Sequence, residues 1–70
     1  MDVRSEIKSY IVREGLSMRD VLDRLAVTYG WSGSLSNFSG KLHRSTLRYS
    51  EAEELADVLG YDIIWVKRRR

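Results

Sequence analysis

Four stretches of this sequence repeat apolar residues at intervals of three and four, and glycines close three of them. Such a chain folds into short helices joined by tight turns and into little else. Val3, Ile7, Tyr10 and Ile11 mark the first stretch, which spans about residues 3–14 and ends before Gly15. Ser17 and Asp20 form a capping box, Asp taking the place of the usual Glu, and open a second helix over 17–29 that ends at Gly30. Its expected inward positions are Met18, Val21, Leu22, Leu25 and Tyr29. Leu35, Phe38 and Leu42 define a third helix over 34–44, for which either Ser32 or Ser34 is an available cap. Ser50 with Glu53 reads as a further capping box. Ala52, Leu55, Ala56 and Leu59 then build a fourth helix over 50–59, closed by Gly60.

After Gly60 the period changes. Tyr61-Asp62-Ile63-Ile64-Trp65-Val66-Lys67 is rich in β-branched and aromatic residues and too short for a stable helix, so it reads as a β-strand. No other segment offers itself as a strand partner. An unpaired strand leaves its N–H and C=O groups unsatisfied wherever water is excluded. The expectation is therefore a homodimer in which Tyr61, Ile63, Ile64, Trp65 and Val66 pair with the same residues of a second copy about a twofold axis. The organisation is then a helical domain over 1–60 and a strand with a basic tail over 61–70, with Trp31 assigned to the core and Trp65 to the ribbon.

Seventy residues make one domain, and a chain of this size buries only about 60% of the surface its unfolded form exposes. It has no cysteine and one histidine, so neither a disulfide framework nor a zinc cluster is expected to reinforce the core. No cofactor motif is visible. Neither a signal-peptide pattern nor an apolar run near the ~20 residues that cross a bilayer is present, and a soluble cytoplasmic protein is expected. His43 has no visible catalytic partner and no pocket to serve, so the chain is not read as an enzyme.

The net charge is only +2, but its distribution is segregated. From Arg24 to Ser50 the cations Arg24, Lys41, Arg44 and Arg48 stand without a single Asp or Glu. Glu51, Glu53, Glu54, Asp57 and Asp62 follow without a base, and the chain ends in Lys67, Arg68, Arg69 and Arg70. Within the acid-free block the third helix keeps Ser36, Asn37, Gly40, Lys41, His43 and Arg44 off its apolar stripe. A solvated face usually mixes both signs of charge; this one is shaped for a close, negative partner.

The residues also resemble a known family, the small lambda-repressor-like and Cro-like (XRE-type) helix-turn-helix regulators of bacteria, phages and mobile elements. Leu16-Ser17-Met18-Arg19-Asp20-Val21-Leu22-Asp23-Arg24-Leu25 is similar to the family's L-T-Q-x-x-L-A-x-x-L. Gly30-Trp31-Ser32 resembles G-[VI]-S, Asn37-Phe38-Ser39-Gly40-Lys41-Leu42 resembles N-[LI]-S-x-K-L, and Glu54-Leu55-Ala56-Asp57-Val58-Leu59-Gly60 resembles E-[LI]-A-x-x-L-G. The resemblance covers about residues 3–60. There are departures: Met18 stands where glutamine is common, Leu22 where a small alanine is common, and Ala26–Tyr29 lengthen the second helix by about one turn. About two further residues lengthen the turn before Asn37, and a strand replaces the fifth helix of many relatives.

The resemblance implies a mainly α, four-helix helix-turn-helix domain that binds double-stranded DNA as a dimer and regulates transcription, with residues 34–44 in the major groove. Candidate DNA-binding residues are Ser32, Ser34, Ser36, Asn37, Gly40, Lys41, Arg44 and Arg48, with Arg24 on a flanking phosphate. Asn37 suits adenine, Lys41 and Arg44 suit guanine or phosphate, and the small residues admit close backbone approach. The competing expectation is a protein-interaction module of the same fold that does not read DNA and instead offers Glu51, Glu53, Glu54 and Asp57, or the terminal strand edge, to another protein.

Overall fold

The first helix begins where Asp2, in extended conformation, accepts the Ser5 N–H at 2.7 Å and satisfies one of the donors a helix start leaves open. A computed structural model describes residues 2–69, which contain four helices: α1 Val3–Arg13, α2 Met18–Tyr29, α3 Leu35–Arg44 and α4 Tyr49–Leu59. The capping box at α2 is complete: Ser17 Oγ accepts the Asp20 N–H at 3.1 Å, and Asp20 accepts the Ser17 N–H at 2.9 Å. Gly30 ends α2 at φ 72°, where its N–H and that of Trp31 reach back to the carbonyls of Ala26 and Leu25. The same geometry ends α3 at Ser45, a non-glycine residue at φ 54°.

Two starts were open to reading. Ser34 caps α3 by accepting the Asn37 N–H, while Ser32 Oγ accepts the Ser34 N–H one step earlier. The fourth helix corrects the expected Ser50–Glu53 box. Its cap is Arg48, whose N–H is taken by Glu51 at 2.9 Å. Arginine offers no side-chain acceptor, so only the returning half of a box exists.

α2 is the central element and packs against α1, α3 and α4; α1 also meets α3. The core is Ile11, Val21, Leu22, Leu25, Phe38, Leu42, Leu55 and Leu59, with Met18, Trp31 and Leu35 among the half-buried residues around it. No polar or charged residue is fully buried among those described. Tyr29, expected inside, is 41% exposed and instead donates its hydroxyl to Asp57 across the α2–α4 contact at 2.5 Å. The last turn of α2 therefore ends in a polar strut rather than in the core.

The strand expected over 61–67 is absent: no strand occurs among the described residues, and 61–69 carry no regular structure. The segment finds partners inside its own chain. Tyr61 packs its ring 4.9 Å from that of Tyr10 and donates its hydroxyl to Glu14 at 2.8 Å. Trp65 donates Nε1 to the Tyr49 hydroxyl at 3.1 Å, although 86% of it is exposed. The β-branched composition was compatible with an extended chain, and extended chain need not pair. With no strand among the described residues, the single chain does not support the ribbon expected through Tyr61, Ile63, Ile64, Trp65 and Val66.

Leu25 is fully buried in α2. Leu25→Ala should cost about 2–5 kcal/mol, a large share of the roughly 0.05–0.15 kcal/mol per residue by which such domains are stable. Urea denaturation followed by circular dichroism should show the cooperative transition lost or moved to much lower urea. An unchanged midpoint would contradict α2 as the packing centre.

Candidate nucleic-acid interface

Burying Phe38 and Leu42 fixes how α3 is rotated, and at about 100° per residue this turns Ser36, Asn37, Gly40, His43 and Arg44 away from the core. Ser36, Asn37, His43 and Arg44 are exposed, and Gly40 is half-buried. No carboxylate belongs to this face. At its start Ser32, Ser34 and Ser36 cluster, with the hydroxyls of Ser34 and Ser36 3.2 Å apart.

Gly40 has a specific neighbour. A Cβ built there would stand 2.8 Å from Arg44 Nη1 and 3.1 Å from Nη2, so the guanidinium lies across the bare turn one helical repeat before it. The side chain of Arg44 lies along the outward surface of α3. The obstruction is the far end of a flexible side chain, which can swing away.

Lys41 is placed differently from its expected role at the centre of the reading face. It lies on the flank of α3, half-buried, with its ammonium ion-paired to Glu51 and 5.4 Å from the centre of the Trp31 ring. Trp31 is fixed in turn by its Nε1–H bond to Glu54 at 2.7 Å and by an edge contact with Phe38 at 6.0 Å. Glu51 thus has two tasks: it pairs with Lys41 and accepts the N–H at the start of α4. Those two contacts, the Lys41 ammonium first, hold its carboxyl below the ordinary range. Arg44, Lys41 and Glu51 line a 390 Å³ cleft with Trp31, Ser32, Ser34 and Asn37.

Of the remaining expected contacts, Arg48 is exposed at the α4 start, whereas Arg24 is turned away and donates to the Val58 carbonyl at 3.1 Å. Arg19 donates to the Gly33 carbonyl at 3.3 Å, steadying the α2–α3 turn, and pairs with Asp23. The structure therefore brings Ser32, Ser34, Ser36, Asn37, Gly40, Arg44 and, at the rim, Lys41 to one side of the molecule. Sequence reading missed Glu51 as the partner of Lys41. The signal was present in its position three residues after Arg48, but the distance between α3 and α4 was not. Among the described residues no group of His, Cys, Asp or Glu is arranged to hold a metal ion, and no helix is long and apolar enough to cross a membrane. Comparison with family models, with curated proteins and with solved structures finds no match to this chain.

Two predictions follow from this geometry. Gly40 sits in a helix at negative φ with only the Arg44 tip above it, so Gly40→Ala should stabilise the fold by about 0.5–1 kcal/mol. That is roughly 2–8 °C in Tm for a domain of this size. A fall in Tm would show that the Arg44 placement supports the fold itself.

The second concerns acid. The carboxyls of Glu51, Asp20 and Asp2 are all held below their ordinary values, the last two mainly by the N–H groups of Ser17 and Ser5. Their contribution is complete above the ordinary carboxylate pKa of about 4 and is lost as pH falls through the lower folded values. Glu51→Gln should therefore lower stability at neutral pH and flatten its decline in acid. A decline as steep as in the unaltered chain would show that the Lys41–Glu51 pair contributes nothing.

Proposed function

We propose that this protein binds double-stranded DNA in a sequence-selective way, with α3 in the major groove, and regulates transcription in the manner of the lambda-repressor-like and Cro-like proteins it resembles. The observation that carries the reading is the outward face of α3: exposed, small or hydrogen-bonding, cationic at Arg44 and free of carboxylates. A major groove about 12 Å wide admits a helix, and a face with Gly40 and Ser36 lets its backbone lie close to base edges. Asn37 has the donor and acceptor pair that adenine N7 and N6 require, and Arg44 the fork that guanine requires. Ser32, Ser34, Ser36 and Arg48 serve phosphates on either side, fixing register without choosing sequence. Lys41 acts from the rim, where a phosphate takes the place of the Glu51 carboxylate. No step of this reading involves catalysis, a metal or a cofactor.

A second reading is favoured by particular contacts. Pairing of Lys41 with Glu51 and of Arg24 with the Val58 carbonyl removes two cations from the presumed footprint. At the same time Ile64 and Val66 are 75% and 79% exposed beside an acidic α4. A protein-interaction module would use that edge and leave α3 idle.

Selection from a randomised duplex pool separates the two. The unaltered chain should enrich a defined motif, and an Asn37→Ala, Arg44→Ala double variant should lose it while keeping its helical circular dichroism. A palindrome would report two copies on half-sites about 34 Å apart; a single half-site would report one. If the folded protein enriches nothing, and a stoichiometric protein partner is abolished by Ile64→Ser, the second reading replaces the first.

A further inference from the structure

We infer that residues 61–69 form an anchored basic arm that grips the DNA phosphate backbone beside α3; the inference rests on duplex DNA being the partner. Two aromatic contacts define the path of the arm. Tyr61 is held at the Tyr10 ring and Glu14, just past the C-terminal end of α4, while Trp65 is held at Tyr49, the first residue of α4. The segment therefore doubles back along the whole helix.

The lengths agree. Ten steps of α4 rise about 15 Å, and four residues of extended chain cover about 13–14 Å. Four residues suffice once the Tyr49 and Trp65 side chains, which meet at their polar tips, close the remaining distance. Ile63 and Ile64 lie over a 460 Å³ groove between α1 and α4 on the way.

The consequence is where the cations arrive. Lys67, Arg68 and Arg69 follow two to four residues after Trp65, and so within about 7–14 Å of it along the chain, near the start of α4, which Arg48 caps and the short link from Arg44 enters. The arm thus brings its cations to the end of α4 that Arg48 caps, and among the described residues neither these cations nor Arg44 and Arg48 have a carboxylate within ion-pair distance. Like charges concentrated in this way repel each other and draw a polyanion. Of the nearby acids, Glu51 is engaged by Lys41, and Glu53 lies beside Ile63 and Ile64, before the basic residues of the arm. A second copy of the chain would bring the same cations to the same end, so the surface fits phosphate better than self-association.

The test compares the full chain with a Lys67→Ala, Arg68→Ala, Arg69→Ala triple variant, with Trp65→Ala, with Trp65→Phe and with the Asn37→Ala, Arg44→Ala double variant. Each is titrated onto a duplex of unselected sequence and onto any enriched motif over a salt series. Losing three phosphate contacts should reduce the slope of log K against log salt by about 2.7, at about 0.9 per contact, with the preferred sequence unchanged. Trp65→Ala should weaken binding although every cation is retained, and Trp65→Phe, which keeps a ring for Tyr49, should recover it.

An unchanged slope in the triple variant overturns the arm even if the full chain reads sequence. Arm-dependent binding without any enriched motif keeps the arm and removes sequence reading by α3. No binding to either duplex at low salt by folded protein overturns the arm as stated. Since the substituted cations are exposed and lie outside the core, loss of folding does not obscure these outcomes.

Discussion

The burial of one face of α2 is the constraint on which the rest of the structure depends. Val21, Leu22 and Leu25 are essentially inaccessible, and the helix that carries them touches each of the other three. In a chain without disulfides there is little else to set the positions of α1, α3 and α4. Leu22 matters most for the interface, because it lies beneath Trp31 and Phe38 at the floor of the cleft that Lys41 and Arg44 border. A bulky residue there fills the space in which a smaller one would let α3 settle closer to α2. The five-residue passage from Gly30 to Ser34 carries the chain from the end of α2 to the start of α3. The position of α3, and so the angle at which it meets any partner, follows from the packing of this one helix.

Polar contacts refine that frame and share the same few groups. Glu51 joins α3 to α4 through Lys41 while accepting the N–H of Arg48, the cap of α4, and Trp31 joins the α2–α3 turn to α4 through Glu54. Exposed ion pairs stabilise a fold weakly, commonly by less than about 1 kcal/mol. Their importance here is positional. Lys41 stays at the rim because Glu51 and the Trp31 ring hold it there, which leaves Asn37, Gly40 and Arg44 as the most outward part of the helix.

Much of this was legible in the sequence because helices announce themselves locally. The 3–4 spacing of Leu35, Phe38 and Leu42, the Ser17–Asp20 box and Gly30 each act over a few residues, and the structure shows the corresponding helices and turns. What failed depended on distance across the fold. Lys41 read as a free cation because no acid is near it in sequence, whereas Glu51, ten positions on, meets it in space. Arg24 finds a carbonyl thirty-four residues away. Ser45 adopts a conformation usually left to glycine, so its helix end carried no sign. The terminal segment was misread because composition reports extended backbone but not its partner, and the aromatic contacts that hold it lie in α1 and α4.

That misreading changes how the surface of the molecule is organised. As a paired strand, residues 61–67 would have placed their apolar side chains between two copies and their cations at the ends of a ribbon. Laid back toward the start of α4, the same residues give Tyr61 and Trp65 partners within one chain, with Lys67–Arg69 following Trp65 in exposed chain. Of the acids of α4, Glu51 is paired with Lys41, whereas Asp57, which accepts from the neutral Tyr29 hydroxyl, keeps its charge and lies with Glu53 beside Ile63 and Ile64. The modest net charge of +2 conceals this separation. Along the chain the acids are concentrated in α4 and Lys67–Arg69 follow it, and it is the local field of such a separation, rather than the total charge, that governs attraction of a polyanion.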